Sequence, residues 1–348
     1  MLAKRVSDIP AGDFIFEPKW DGFRVLVFRD GAEIFVQSRD AKPLNRYFPE
    51  LVAALEALPP RVVLDGELVI AQGDALDFDA LQMRLHPAAS RVKMLSEKIP
   101  SSVVFFDLLA LGDEDLREQP FSARRARLEA VIGPLAPPIY LTPATTDRTV
   151  AADWFKRFEG AGLDGVMAKP KTGVYEPNQR VMFKVKHERE CDCVVAGFRW
   201  HKQGKGEAVG SLLLGLFDDE GGLQHVGVCA SFTNQKRREL VEFLAPYREN
   251  ALAEHPWKRW AEFMQDGESA GRKPGVGSRW SQGKDLSWEP LRPELVAEVA
   301  YDHMQGSRFR HTAQFRRWRS DKRPSDCTYA QLEVVPPEEL GQLFRAAR

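Results

Sequence analysis

The stretch EPKWDGFR, residues 17–24, sets Lys19 two residues ahead of an Asp-Gly pair and just before the strand-like run FRVLVFR. A lysine so placed is either an ordinary neighbour of a surface turn, since Asp-Gly is a common hairpin signal, or a nucleophile. The K-x-D-G pattern alone decides nothing, because at background usage it arises by chance in about one chain of this size in ten. A lysine amine attacks only when neutral, and a site crowded with cations favours that form. The chain offers such cations. Lys184 and Lys186 in MFKVK alternate along one strand and so share a face, although a short charged strand face usually meets only water. In LDGEL, Asp65 and Glu67 sit inside an apolar run, a costly place for carboxylates without partners. They read as functional groups or as a buried structural pair. From Gly306 to Arg323, Arg308, Arg310, Arg316, Arg317, Arg319, Lys322 and Arg323 face only Asp321. That cluster is a solvated face or an anion site.

The elements that must position these groups alternate in the first half of the chain. FRVLVFR and EIFVQS flank Asp30-Gly31 and predict a hairpin. PELVAALEAL predicts an amphipathic helix with Pro49 near its start. RVVLDGELVIA and SSVVFFDLLAL predict buried strands. In the second of these, alternation sends Phe105 and Phe106 to opposite faces, so only one can line a pocket, although composition alone would put both in the core. FSARRARLEAVI predicts a helix with Ser122 as its N-cap, and TVAADWFKRFEGAG one that ends at glycine. LDGVMAK and RVMFKVK predict two more strands. The expected class is α+β with an antiparallel sheet. The style changes near HERECD, residues 187–192, which suits a hinge around His187–Arg189. Beyond it, CVVAGFRW, GSLLLGLFD, LQHVGVCA and ELVAEVAYD predict strands and TNQKRRELVEFLAPY a helix, the make-up of an OB-fold barrel. The expected domains are 1–187 and 188–348. The Gly-rich stretch 266–285 reads as a loop that touches nucleic acid.

Bulk composition limits the choices. The chain has 348 residues, a length that suggests two domains. No apolar run is long enough to span a membrane, and MLAKRVSDIPAG lacks the apolar core of a signal peptide. Cys191, Cys193, Cys229 and Cys327 contain no C-x-x-C pair, so neither a disulfide framework nor a zinc site is expected and a reducing cytoplasm is. The net charge of −1 argues against a globally basic DNA-binding protein.

Read in order, EPKWDGFR, SRD (38–40), LDGEL, FFDLL (105–109), DGVMAK (164–169), MFKVK and FRHTAQFRRWRSDK (309–322) resemble the covalent nucleotidyltransferases: DNA ligases, RNA ligases and mRNA capping enzymes. The resemblance runs from Glu17 to Lys322. It is strongest to the two-domain bacterial ATP-dependent DNA ligases of the ligase C branch, whose OB domain begins much like FRWHKQGKGEAVGSLLLGLFDD. It implies a nucleotidyltransferase domain with an antiparallel sheet followed by an OB-fold domain. It implies that Lys19 attacks the α-phosphate of ATP and becomes lysyl-AMP, beside a turn shaped by Asp21 and Gly22. Arg24, Arg39 and Met167 would contact the nucleotide, Arg39 at a phosphate. Glu67 would bind the ribose and, with Asp164, a Mg²⁺ or Mn²⁺ ion. Phe106 would stack on adenine, a contact worth roughly 1–3 kcal/mol. Glu17 would accept from the 6-amino group of adenine, where guanine presents an oxygen. Lys184 and Lys186 would serve catalysis at the phosphate. Arg319, Asp321 and Lys322 form an R-x-D-K pattern that would grip the departing pyrophosphate, with the OB domain closing for activation and opening for DNA. Two residues depart from the wider pattern. Asp164 stands where most DNA ligases have glutamate, a change the ligase C branch shares, and Met182 stands where many relatives have tryptophan.

The expected activity is the sealing of 5′-phosphate/3′-hydroxyl nicks in double-stranded DNA through lysyl-AMP and DNA-adenylate, in DNA repair. The alternatives are an RNA ligase, a capping guanylyltransferase that would use GTP, and a nonenzymatic OB module with a decayed transferase domain. The last would have lost catalytic residues, whereas Lys19, Glu67, Lys184, Lys186 and Asp321 are all present. Only 16 residues precede EPKWDGFR, too few for the helical DNA-binding domain of larger ligases, so a minimal, monomeric enzyme is expected. Relatives work with primase-polymerases or Ku, but no stretch here marks a docking site for either.

Overall fold

The structure, a computed structural model, describes residues 1–259 and 287–332 apart from Asp74, Gly160 and Gln203. The 266–285 stretch and the end of the chain beyond residue 332 lie outside the described residues. Two compact units follow one another, Met1–His187 and Glu188–Val334. No helix among the described residues is long and apolar enough to cross a membrane.

The first unit is built on two sheets. In one, the strands run in the order Ile139–Leu141, Ser102–Leu111, Arg61–Val69, Phe23–Asp30 and Glu33–Ser38. The hairpin turns at Gly31, whose φ of 58° suits glycine. Period-2 alternation gives this sheet two unlike faces. Val25, Val27, Leu64, Leu68, Val103 and Phe105 enter a core covered by the helices Pro49–Ala54 and Phe121–Ile132. Arg24, Glu67 and Phe106, their alternates, line a cavity on the other side. The other sheet orders Leu2–Val6, Arg180–Val185, Val166–Pro170 and Phe14–Pro18. Its first pair is parallel and the rest antiparallel. Met167, Met182 and Lys184 from this sheet, with Met1 just before its first strand, complete the cavity wall.

The helix at Phe121–Ile132 does not start as its sequence predicts. Ser122 lies inside it, Pro120 is the N-cap, and no side chain caps the end. The first N–H groups donate instead to carbonyls of a distant loop, Phe121 to Gly173 and Ser122 to Lys171, both at 2.9 Å.

In the second unit five strands run in the order Leu223–Cys229, Val209–Phe217, Arg189–Trp200, Glu289–Tyr301 and Gln314–Trp318. All pairings are antiparallel. The two outer strands meet through a bridge between Cys229 and Ala313, where the Ala313 N–H reaches the Val228 carbonyl at 2.9 Å. That contact brings the sheet edges together into a barrel with OB-fold strand order. Along the chain, between the strands Leu223–Cys229 and Glu289–Tyr301, lies the helix Asn234–Leu244, capped by the Thr233 hydroxyl. Arg237 ties this helix to the barrel by donating to the carbonyls of Val209 and Ala230, at 2.8 and 2.6 Å. All four cysteines are free and buried.

Candidate active site

Lys19 follows directly on the Phe14–Pro18 strand, and its backbone extends that strand's pairing. Its N–H donates to Gly165 O, and Asp164 N–H donates to Lys19 O, both at 2.8 Å. The exchange sets Asp164 beside Lys19, and the lysine ammonium pairs with the Asp164 carboxylate. Gly165 permits this contact. Its φ is 131°, and a Cβ there would lie 2.0 Å from the Val185 carbonyl oxygen. The Asp21-Gly22 pair does not make a hairpin turn. A Cβ on Gly22 would come within 2.2 Å of the Leu68 carbonyl oxygen, so glycine is needed for the close passage of two chains.

Asp164 also receives Lys186, at 3.1 Å. Lys186 stands just past the end of the Arg180–Val185 strand, while Lys184 on that strand lines the cavity. The electrostatics differ from the expectation for Lys19. Burial pulls its ammonium toward neutrality, but the directly bonded Asp164, together with the charges of Glu67 and Asp21, outweighs burial, and the pKa ends raised. Lys184 has the lowered pKa, through burial and then the charges of Lys19 and Lys186. Glu67, opposite Arg24 on the paired strand, is pushed up to about 8 by burial, against the pull of Lys19 and Arg24.

Arg24 lines the cavity, but its fork grips Asp65 through Nε at 2.9 Å and Nη2 at 2.6 Å. A third donor goes to the Met1 carbonyl. Tyr175 adds a hydroxyl to Asp65 at 2.9 Å. Asp65, fully buried, is therefore the structural partner of Arg24. Arg39 is exposed on the cavity rim after the Glu33–Ser38 strand. Phe106 and Met167 line the cavity, which has a volume of about 300 Å³, while Phe105 is core.

Glu17 also lines the cavity, though it is only 2% exposed. Its two carboxylate oxygens meet two buried cations, Lys169 at 2.6 Å and Arg125 at 3.2 Å. Neither cation figures among the residues predicted from sequence, yet each had a signal. Lys169 follows Met167 by two on the same strand, so alternation gives them one face. Arg124 and Arg125 occupy the stripe of the Phe121–Ile132 helix that otherwise buries Phe121, Leu128 and Ile132, and a charge on an apolar stripe needs a buried partner. Arg124 finds Asp107, at 2.8 and 2.9 Å.

The basic cluster of the second unit is not opposed by Asp321 alone. Arg316 pairs with Glu188 and Glu190, and Arg317 with Glu298 at 2.8 Å. Arg319 forks onto Asp321 at 2.9 and 2.8 Å and reaches Asp192 at 3.0 Å and Glu298 at 3.1 Å. Lys322 joins Asp192 at 3.3 Å. Strand pairing brings in acids that the linear sequence hides, and much of the cluster is internally neutralised.

A two-sheet domain with a lysine on its cavity wall, followed by a five-stranded barrel, defines the class of covalent nucleotidyltransferases. Residues 1–186 match the profile of the ATP dependent DNA ligase domain, and residues 205–322 that of the ATP dependent DNA ligase C terminal region. DNA ligase C2 of Mycolicibacterium smegmatis is 57% identical over 337 residues, which cover 97% of this chain and 94% of that protein. DNA ligase C of Mycobacterium tuberculosis is 55% identical over 353 residues, which cover 100% and 97%. A solved structure of a Lig E DNA ligase shares the fold at 18% identity, with a TM-score of 0.55 over 91% of this chain and 98% of its own. The chain belongs to the ATP-dependent DNA ligase family. Its reaction uses ATP and passes through AMP carried on a lysine.

Proposed function

We propose that Lys19 is the lysine that carries AMP, and that the enzyme seals 5′-phosphate/3′-hydroxyl nicks in double-stranded DNA during repair. The adenylation chemistry is assigned to residues 1–187 and the OB fold to residues 188–348. The observation that best supports this reading is the pairing of Lys19 and Lys186 with the single carboxylate of Asp164, near Lys184, beside a cavity lined by Lys19, Lys184, Phe106 and Met167. Phe106 stacks on the adenine, Glu17 accepts from its 6-amino group, and Glu67 binds the ribose. Arg39 reaches a phosphate from the rim. Lys184 and Lys186 steady the phosphate that changes hands. Arg24 acts as a framework residue for the cavity wall, and Arg319, Asp321 and Lys322 act on the pyrophosphate.

A Mg²⁺ or Mn²⁺ ion fits the donors present. Among the described residues no hydrogen bond or ion pair engages the Glu67 carboxylate, and burial makes its charge costly, so a neighbouring cation would favour the ionised form. Glu67 and Asp164 would hold the ion, in keeping with the few carboxylates that Mg²⁺ takes from proteins. When bound, the ion neutralises charge on the phosphates, which phosphoryl transfer needs more than covalent help.

The test is the intact mass of the purified protein with and without ATP, beside sealing of a nicked duplex. An added adenylate that Lys19→Ala abolishes, together with sealed product, is expected. An adenylate that persists in Lys19→Ala overturns the assignment of the nucleophile.

A further inference from the structure

From the placement of Arg125 we infer that this residue, far from every motif, is a positioning residue for selection of the adenine base and acts through Glu17. The inference rests on the proposed reading that Glu17 accepts from the 6-amino group. Arg125 belongs to the Phe121–Ile132 helix and is only 6% exposed. Its Nη1 meets Glu17 Oε1 at 3.2 Å, its Nη2 meets the Thr142 carbonyl at 2.7 Å and its Nε meets Glu129 Oε1 at 2.7 Å. Thr142 is itself fixed from two sides. Its N–H donates to the Phe105 carbonyl at 2.9 Å, and its hydroxyl accepts from the Trp20 indole at 2.8 Å. Arg125 thus ties Glu17 to the strand that carries Phe106 and to the residue that follows Lys19.

Lys169 completes the arrangement from the other side. Its ammonium meets Glu17 Oε2 at 2.6 Å and the Phe106 carbonyl at 3.2 Å. It lies 4.5 Å from the centre of the Phe106 ring and 4.7 Å from that of Phe121. Glu17 is therefore held at both oxygens by cations that are themselves held by their surroundings. A carboxylate has about four acceptor positions. Arg125 and Lys169 each engage one oxygen, which leaves acceptor capacity for a donor in the cavity. A base with an amino group at position 6 supplies that donor. A base with hydrogen there forgoes this hydrogen bond, and one with oxygen there sets a second acceptor against the carboxylate. Selectivity of this kind requires a carboxylate that cannot turn aside, and Arg125 is the group that fixes the oxygen Lys169 does not bind.

The experiment measures the rate of covalent nucleotide attachment, by intact mass, with ATP and with purine riboside 5′-triphosphate, which has hydrogen in place of the 6-amino group. Wild type, Arg125→Met, Arg125→Lys and Lys169→Met are compared as full chains. Wild type is expected to prefer ATP by roughly 10–100-fold, the worth of one hydrogen bond to a charged group. In Arg125→Met that preference should fall to about threefold or less. Arg125→Lys, which keeps the charge but not the fork, should regain part of it, and Lys169→Met should lose preference in the same sense. If Arg125→Met does not fold, the lysine variant and Lys169→Met carry the test. Variants that slow both nucleotides equally and keep the wild-type ratio overturn the inference, since a merely structural arginine gives that pattern. Wild type that labels with both nucleotides equally overturns it too. Wild type that takes no label from ATP overturns the proposed adenylation on which it rests.

Discussion

Gly165 controls the geometry around Lys19 more directly than any charged group does. Its positive φ and its approach to the Val185 carbonyl leave no room for a Cβ, and the residues on either side of it are Asp164 and the first residue of a strand. Gly165→Ala should therefore move Asp164 away from Lys19. It is expected to destabilise the protein by several kcal/mol, from backbone strain combined with the clash, and to depress adenylate attachment. A thermal melt and the intact mass after incubation with ATP check the two effects. Unchanged attachment would mean that the Lys19–Asp164 contact is incidental. Lys19 itself gives a sharper case. Lys19→Arg keeps the positive charge that Asp164 binds, yet a guanidinium stays protonated and cannot attack. That variant should melt near wild type and take no adenylate, whereas any labelled Lys19→Arg places the nucleophile elsewhere.

At the scale of single elements, the Leu223–Cys229 strand carries a titration that should be visible in stability. His225 is buried, packs edge-on to Trp257 with ring centres 5.5 Å apart, and among the described residues has no hydrogen-bond partner at either ring nitrogen. Burial, followed by the charges of Arg308 and Arg199, lowers its pKa from 6.5 to about 3. Between those values the unfolded chain binds a proton that the folded barrel does not, so stability is intact above about pH 6.5 and is lost as the pH falls. The loss at pH 5 is roughly 2 kcal/mol, at about 1.4 kcal/mol per pH unit. His225→Leu should remove this part of the acid sensitivity, measured as the difference in melting temperature between pH 7 and pH 5. An unchanged difference would show that the folded barrel protonates His225 without cost. The elements themselves were legible in the sequence to different degrees, for physical reasons. Strand alternation reported two faces at once, which is why Phe105 and Phe106 separate as predicted, one to the core and one to the cavity. The start of the Phe121–Ile132 helix was not legible at Ser122, because its cap is a pair of carbonyls some fifty residues further on. Glu17 was legible only in part. Its place in the motif pointed to the cavity, but its partners Lys169 and Arg125 arrive through sheet pairing and helix packing. The acids that oppose the 306–323 cluster were hidden for the same reason, since Asp192 and Glu298 belong to strands that become neighbours only in the folded barrel.

Across the whole molecule, two sets of basic residues should divide the reaction between them. The β- and γ-phosphates of ATP exist only until lysyl-AMP forms, and the later steps involve no pyrophosphate. Groups that act on those phosphates should therefore matter for self-adenylation and not for sealing a nick that already carries AMP. Lys322 is the better probe of the R-x-D-K pattern. Arg319 is engaged by Asp192, Glu298 and Asp321 at once, so Arg319→Ala takes a cation from three carboxylates, of which Glu298 keeps Arg317 and Asp192 keeps Lys322, and should lower the melting temperature of the barrel as well as the activity. Lys322 is 36% exposed and makes one longer pair, to Asp192 at 3.3 Å, so its removal should leave the fold close to wild type. Lys322→Ala is expected to slow adenylate attachment by about 10²–10³-fold, the effect of losing one donor to a developing charge. It should seal a nick bearing a 5′-adenylate at close to the wild-type rate. Lys186→Ala should slow both reactions, because it stands beside Asp164 and Lys19 in the first unit. Both measurements use the same nicked duplex, with and without AMP on the 5′-phosphate. If Lys322→Ala loses sealing of the pre-adenylated nick as severely as it loses adenylation, then Lys322 holds DNA rather than pyrophosphate. The role of the R-x-D-K pattern in the first step would then have to be given up.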